Sequence, residues 1–335
     1  MKSKKVGIIG CGKIFPRHLE AIQGNPDYEL VGICDVDKEL IERRHIETGA
    51  KAFVDYRQMV DSGEVNFVVV ATPNSQHFEQ AKYALMNQCD ALIEKPATID
   101  PIQIEILKNI ADERRQRVYA VLQVRLNSCI QSLKYLVDNK IIGEIRGVGL
   151  IQRWQRPLEY FSDWRGSPLV GGGTLHECGI HYLDILCYIL GKPEVVASKK
   201  YNTKHKSTSI EDTVYATLDY GSFGGNVEIS ISAEPSNIEC SLTILTDIGY
   251  IRLGGRAMNV VEKVDFLSED KTRQVKKILE KNNSIGTPNS YGSYAGSCPN
   301  HPNLYKNIHN FDLLNTSDVL NLIDEIYANC SIKYY

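Results

Sequence analysis

The residues best equipped for chemistry stand in two short blocks. One is Glu94-Lys95-Pro96; the other is Gly171-Gly172-Gly173-Thr174-Leu175-His176-Glu177-Cys178-Gly179-Ile180-His181. Consecutive glycines let a backbone approach a ligand closely and take conformations closed to other residues. Leu175, Ile180, Leu183, Ile185 and Leu186 then predict a helix opening directly after them. Glu177 and His181 are four apart, so on an α-helix they share a face. A lysine, a carboxylate and an imidazole together suit the removal of a proton and a hydride from an alcohol. His181 suits the proton, because an unperturbed imidazole titrates near neutral pH. Lys95 can hydrogen-bond the same oxygen, or be the base itself if burial lowers its pKa. The competing reading is a glycine-rich turn before an ordinary amphipathic helix.

Such groups need a scaffold, and the first third of the chain supplies its pattern. Apolar runs at 6–9, 28–34, 65–71, 91–93 and 118–122 read as five strands. Helical periods at 11–23, 38–48, 78–86 and 101–115 separate them, which implies βαβ units and a parallel sheet. The first strand runs into Gly10-Cys11-Gly12-Lys13-Ile14-Phe15 and a helix. Gly10 permits the tight turn, and Gly12 lets a pyrophosphate reach the backbone at the helix N-terminus. Phe15 replaces the third glycine of the usual fingerprint. Asp35, at the end of strand two, is placed to accept from an adenosine ribose and to repel a 2′-phosphate, favouring NAD over NADP. Thr72, Pro73, Asn74 and His77 follow the third strand at the ligand-binding carboxyl edge. His77 could equally be a surface residue of the next helix.

The second half changes character. Segments 145–152, 194–201, 212–219, 226–232, 240–246 and 250–253 alternate apolar and polar residues between glycine-rich or polar turns. They predict a largely antiparallel sheet with one face open or used for association. Residues 271–302 read as loop with a short helix, and 316–328 as a closing helix. Composition is ordinary for a soluble two-domain protein: 335 residues, 43% hydrophobic, 24% charged and a formal net charge of −3. That balance favours neither nucleic acid nor an anionic membrane. Nine scattered cysteines without a Cys-x-x-Cys pair point to reduced thiols in a cytoplasmic protein and to no metal site. The amino terminus shows no signal-peptide pattern.

Gly10-x-Gly12, Thr72-Pro73-Asn74-x-x-His77, Glu94-Lys95-Pro96 and Gly179-x-His181-x-x-Asp184 closely resemble, in order and spacing, the Gfo/Idh/MocA family. The resemblance covers about residues 4 to 332. It implies an α/β protein: a Rossmann domain with a doubly wound parallel sheet (1–124) and an α+β domain with an open-faced sheet (125–315). The closing helix, 316–335, is then expected to pack back on the Rossmann domain. It further implies NAD held by Gly10, Gly12, Lys13, Ile14, Asp35, Thr72, Pro73, Asn74, His77, Glu94 and Lys95. Lys95 and His181 become catalytic, with Glu177 standing where the family has an aspartate. Homodimers or homotetramers through the sheet are implied as well.

A finer likeness lies in 121–127, 160–166 and 297–305. These resemble the branch that oxidises C3 of UDP-N-acetylglucosaminuronate for surface-polysaccharide synthesis. A UDP-sugar acid would then meet Arg125, Arg156, Tyr160, Trp164, Arg165, Thr174 and His181. Arginines suit a carboxylate and a diphosphate, and the aromatic rings suit a sugar or uracil. Surface ion pairing and core packing are the competing roles for these side chains. A dehydrogenase of a free sugar or inositol is the alternative substrate reading. A non-catalytic NAD-binding regulator is the alternative of another class, against which Lys95 and His181 argue.

Overall fold

Predominantly apolar runs, wholly so in the central strand Phe67–Val70, build the first sheet. The computed structural model describes residues 3–280, 290, 291, 294, 295, 297 and 300–332. They fall into two compact units, Met1–Leu122 with Asn300–Ser317, and Gln123–Pro299 with Asp318–Tyr335. In the first unit, β1 (Lys4–Ile9), β2 (Tyr28–Cys34), β3 (Lys51–Phe53), β4 (Phe67–Val70), β5 (Asp90–Ile93) and β6 (Val118–Ala120) form one sheet. Its order is β3-β2-β1-β4-β5-β6, and every pairing is parallel. All four residues of β4 are buried, as a central strand covered on both faces requires. Helices α1 (Phe15–Gln23), α2 (Lys38–Thr48), α3 (Tyr56–Asp61), α4 (His77–Met86) and α5 (Ile102–Arg114) connect the strands. The α2 boundaries show why these residues make a helix there. Asp37 accepts the amides of Glu39 and Leu40 at its start, and left-handed Gly49 ends it.

Two elements of this unit, β3 and α3, have no counterpart in the sequence reading. They are three and six residues long and mostly half-exposed or exposed, too short to show a period. The run at 118–122 is therefore the sixth strand. Ala120 N–H donates to Phe311 O at 3.0 Å, so residues 300–317 come back to the edge of this sheet.

The second unit alternates as expected. Its strands are β7 (Ile145–Arg153), β8 (Glu194–Tyr201), β9 (Thr213–Asp219), β10 (Gly224–Ser230), β11 (Glu239–Thr246), β12 (Gly249–Gly254), β13 (Val260–Phe266) and the final strand Cys330–Ile332. The sheet is mostly antiparallel, with β10–β7 and the final strand–β8 parallel. Val148, Leu150, Val227, Ile229, Leu242, Ile244 and Ile251 share the buried face. The opposite face carries Gly147, Gly149 and Gly224, and a ladder of ion pairs through Arg153, Glu228, Glu239, Arg252 and Glu262. It is a mixed surface, not the continuous apolar patch that alternation alone suggests.

Helices α6 (Ser128–Asp138), α7 (Ile180–Leu190) and α8 (Glu269–Glu280) belong to this unit. Almost every residue of α7 is buried, and Tyr182 meets Trp154 edge to face at 5.6 Å. Only Val275 and Leu279 of α8 are buried, and the helix lies at the start of the segment read as loop with a short helix. The closing helix, Ser317–Ala328, clusters almost entirely with this second unit. Ser198 Oγ donates to Ile326 O at 2.5 Å, and the strand after the helix pairs with β8. What returns to the first unit is 300–317, not the helix. Among the described residues no helix is long and apolar enough to cross a membrane.

A buried carboxylate pins one loop of this unit. Asp212 is fully buried and accepts the amides of Thr203 at 2.7 Å, Lys204 at 2.6 Å and His205 at 3.2 Å. Burial alone would raise its pKa, but the His205 ring and these amides bring it down to about 2 from 3.8. A depressed carboxyl pKa stabilises the fold above its unfolded value, and that contribution is lost as pH falls through the folded one. Unfolding free energy measured in denaturant should therefore drop between pH 3.8 and about 2. Asp212→Asn should flatten that part of the curve, and identical slopes would remove Asp212 from the account.

Candidate active site

The first unit holds the Gly10–Gly12 turn and Lys95, and the second holds the glycine block and His181. In the first, β1 ends at Gly10, whose φ is +94° and whose N–H donates to Cys34 O at 2.8 Å. A Cβ on Gly10 would stand 2.4 Å from Ala71 O, so only glycine fits. Gly12 is different: a Cβ there would meet nothing within 4 Å. That open space lies at the start of α1, where unpaired amides favour an anion. Lys13 is exposed, Ile14 half-buried, and Phe15 wholly buried under the Arg44 guanidinium, 4.8 Å from its ring.

Asp35 uses both oxygens locally, accepting Cys11 N–H at 2.8 Å and Asp37 N–H at 3.0 Å. These bonds fix the carboxylate beside the glycine turn and leave acceptor capacity for a ribose hydroxyl. Val36 follows it with 86% of its surface exposed, an apolar platform the sequence reading passed over. The combination fits NAD: room for a pyrophosphate at Gly12, an acid for the ribose, and an apolar side chain next to it.

Three further residues expected to touch the cofactor are engaged within the unit. Thr72 Oγ1 donates to Gln80 at 2.7 Å. His77 is buried, with Nδ1 2.8 Å from Pro96 O and Nε2 2.9 Å from Thr72 O. Each ring nitrogen faces a carbonyl oxygen. His77 thus joins the turn after β4 to the turn after β5, and is neither a surface residue nor poised outward. Glu94 is buried too, its Oε1 3.1 Å from His18 Nε2 and 3.3 Å from His301 Nε2. Its Oε2 accepts Lys95 N–H at 3.1 Å. Burial alone would raise the Glu94 pKa; the two histidines hold it well below the carboxylate range. These three side chains are also a possible ligand set for a metal, but their hydrogen bonds already account for the arrangement. Lys95 is half-buried, at the carboxyl end of β5.

The glycine block belongs to the second unit. A Cβ on Gly172 would lie 2.2 Å from Arg165 O, and Gly171 and Gly173 have φ of +79° and +114°. The close approach is of the chain to itself. Residues 175–179 then form a π-helical turn, and α7 begins only at Ile180. The wider turn removes the α-helical reason for Glu177 and His181 to share a face. Thr174, expected to meet substrate, is fully buried: its N–H donates to Glu211 Oε1 at 2.8 Å and its Oγ1 to Glu211 O at 2.5 Å. Tyr327 donates to the same Oε1 at 2.7 Å. Burial raises the Glu211 pKa, an effect these donors oppose.

Glu177 Oε2 lies 3.5 Å from the Tyr160 hydroxyl and 3.6 Å from Arg165 Nε. Arg165 also pairs with Asp163 and covers the Trp164 and Tyr160 rings at 4.6 and 5.2 Å. His181 Nε2 lies 3.4 Å from Ser297 Oγ, which accepts from Gln123 Nε2 at 3.1 Å. The sequence reading noted 123 and 297 only as likeness in loops; the relay to His181 is new. Cys298 and Pro299 of that likeness lie outside the described residues.

Two arginines expected to bind substrate are committed elsewhere. Arg125 makes a bidentate pair with Asp184 at 2.8 and 2.6 Å, both side chains being buried. Arg156 is 4% exposed, donates to Gln155 O at 2.7 Å and stacks on Trp154 at 4.7 Å. From sequence a buried arginine and a ligand-facing one look alike.

Residues 4–122 match the family described as "Oxidoreductase family, NAD-binding Rossmann fold", and residues 130–252 match the "GFO/IDH/MocA C-terminal domain". The chain belongs to the Gfo/Idh/MocA family. As a Gfo/Idh/MocA protein it is an NAD-dependent dehydrogenase acting on a CH–OH group. It is similar to the WlbA dehydrogenase of Bordetella pertussis, solved in complex with NADH and UDP-GlcNAcA. That likeness has a TM-score of 0.87 and 27% identity, covering 98% of this chain and 95% of that one. It is also 27% identical to the glucose-6-phosphate 3-dehydrogenase of Bacillus subtilis, over 85% of this chain and 80% of that protein. The D-glucoside 3-dehydrogenase of Escherichia coli is 25% identical over 66% of this chain and 68% of its own.

The two glycines of the Gfo/Idh/MocA cofactor turn make separable predictions. Gly12→Val should leave thermal stability unchanged and weaken NAD binding by calorimetry, by about tenfold or more, since the side chain fills ligand space. Gly10→Ala should lower the melting temperature, because its Cβ meets backbone at positive φ. Unchanged NAD affinity in Gly12→Val would place the pyrophosphate elsewhere.

Proposed function

We propose that this protein oxidises the C3 hydroxyl of a nucleotide sugar acid, UDP-N-acetylglucosaminuronate, with NAD. The observation that carries this reading is the likeness, over 98% of the chain, to a dehydrogenase solved with NADH and UDP-GlcNAcA. The carbon is supported independently. Both curated relatives described above are named 3-dehydrogenases although their sugars differ. A shared position with changing substituents is expected when the reacting groups stay fixed and the surrounding loops vary.

When bound, NAD supplies the hydride acceptor. His181 takes the hydroxyl proton, with Ser297 and Gln123 fixing its Nε2 side. Lys95 donates a hydrogen bond to the reacting oxygen as negative charge develops on it. Glu177, tied to Tyr160 and Arg165, fixes the loop 158–170 against the π-helical turn instead of acting as an acid. With Arg125 buried in a bidentate pair with Asp184, recognition of the sugar's carboxylate falls to Arg165. Among the described residues its Nε makes no hydrogen bond and lies 3.6 Å from Glu177 Oε2, an ion pair the substrate carboxylate would share. Trp164 and Tyr160 frame that guanidinium. We further propose that copies associate across the open face of the second sheet, giving a mass of two or four times 37.7 kDa in light scattering.

NADH formation should therefore be faster from UDP-N-acetylglucosaminuronate than from neutral UDP-N-acetylglucosamine. A lost charge-assisted contact costs about 1.5–3 kcal/mol, roughly ten- to hundredfold in kcat/KM. Lys95→Ala and His181→Ala should each lower kcat by roughly 10²–10⁴ while NAD affinity stays. Faster turnover of inositol, a free hexose or a glucoside would replace this substrate reading and leave the family assignment standing.

A further inference from the structure

We propose that His18 and His301 are positioning residues for Lys95, acting through the Glu94 carboxylate; the proposal rests on Lys95 being catalytic, as read above. Glu94 Oε1 receives His18 Nε2 at 3.1 Å and His301 Nε2 at 3.3 Å, while Oε2 receives the Lys95 amide at 3.1 Å. Every direction in which this carboxylate can turn is thereby specified. His18 is itself held, with Nδ1 2.9 Å from the Tyr305 hydroxyl. Tyr305 packs edge to face on Tyr28 at 5.0 Å, and the Tyr28 hydroxyl donates to Tyr305 O at 3.3 Å. His77 grips the next residue but one after Glu94, through Pro96 O at 2.8 Å. The segment Glu94-Lys95-Pro96 is thus pinned at a side chain and at a carbonyl, with Lys95 between.

The arrangement gives the returning segment a task. Residues 300–317 belong to the first unit although the chain has by then built most of the second. They deliver His301, 2% exposed, and Tyr305, 1% exposed, to the end of β5. Remove one histidine donor and Glu94 becomes a buried carboxylate short of a partner. Its relaxation, by turning or by admitting water, is felt first by the amide it accepts from, that of Lys95. A misplacement of a reacting group by about 1 Å is enough to lower turnover substantially.

The test is a double-mutant cycle in the full-length protein. His301→Leu should lower kcat about tenfold or more, with KM for both substrates and NAD affinity within about threefold of wild type. His301→Gln, which keeps a donor near the Nε2 position, should restore most of that loss. In a Lys95→Ala background His301→Leu should cost almost nothing more, because the residue it positions is gone. Should His301→Leu fail to fold, Glu94→Gln carries the same expectation, since it keeps shape and removes the charge. If Lys95→Ala alone is silent, the catalytic reading of Lys95 fails. If Lys95→Ala is costly and the two losses multiply, the positioning role alone fails. One equivalent of zinc in the purified protein, lost in His301→Leu, would also overturn it by making the three side chains metal ligands.

Discussion

Residue 172 has no room for a side chain, and the arrangement around the π-helical turn of the second unit depends on that. The carbonyl of Arg165 occupies the place where a Cβ would be, so the loop and the glycine turn touch backbone to backbone. The contact sets the entry to the π-helical turn. Thr174 then hands its amide and hydroxyl to Glu211, and Tyr327 completes that carboxylate's partners. A bulky residue at 172 would separate the loop carrying Tyr160 and Arg165 from the turn carrying Glu177. The helix that presents His181 starts only after these contacts are made.

The first unit solves its positioning problem by the same physics. Gly10 is pressed against Ala71 O, and Asp35 then orders the turn by accepting two amides. In both units a glycine allows a close backbone approach, and a carboxylate ties up the amides that the approach leaves pointing inward. Between these turns and any ligand, open space is kept at Gly12. Polar residues around each turn accordingly bond to protein. Thr72, His77 and Glu94 do so in the first unit, and Arg125 and Thr174 in the second.

That distinction marks the boundary of what the sequence could tell. The parallel order of the first sheet and the alternation of the second were legible because strands buried on two faces or one leave different patterns. So was the turn of Gly10, Gly12 and Asp35, whose types and spacing match the geometry found there. The elements β3 and α3 were not, being short, and α6 and β13 were not assigned either. Partner choice was the larger gap. A guanidinium facing Asp184 and one facing a ligand have the same local sequence, and only the packing of α7 separates them. The π-helical turn was likewise invisible, since its extra residue leaves no compositional trace.

Glucose-6-phosphate 3-dehydrogenase and D-glucoside 3-dehydrogenase share position 3 in their names with the reaction proposed for this chain. The fixed elements of such a site are the proton acceptor, the oxygen's hydrogen-bond donor and the cofactor turn. The variable ones are the loops that meet the rest of the sugar. Position 3 is therefore the central claim, and isotope transfer tests it most directly. UDP-N-acetylglucosaminuronate deuterated at C3 should pass its deuterium to the cofactor, detected as singly deuterated NADH by mass spectrometry. Unlabelled NADH formed from that substrate, with the deuterium kept in the sugar, would contradict the account.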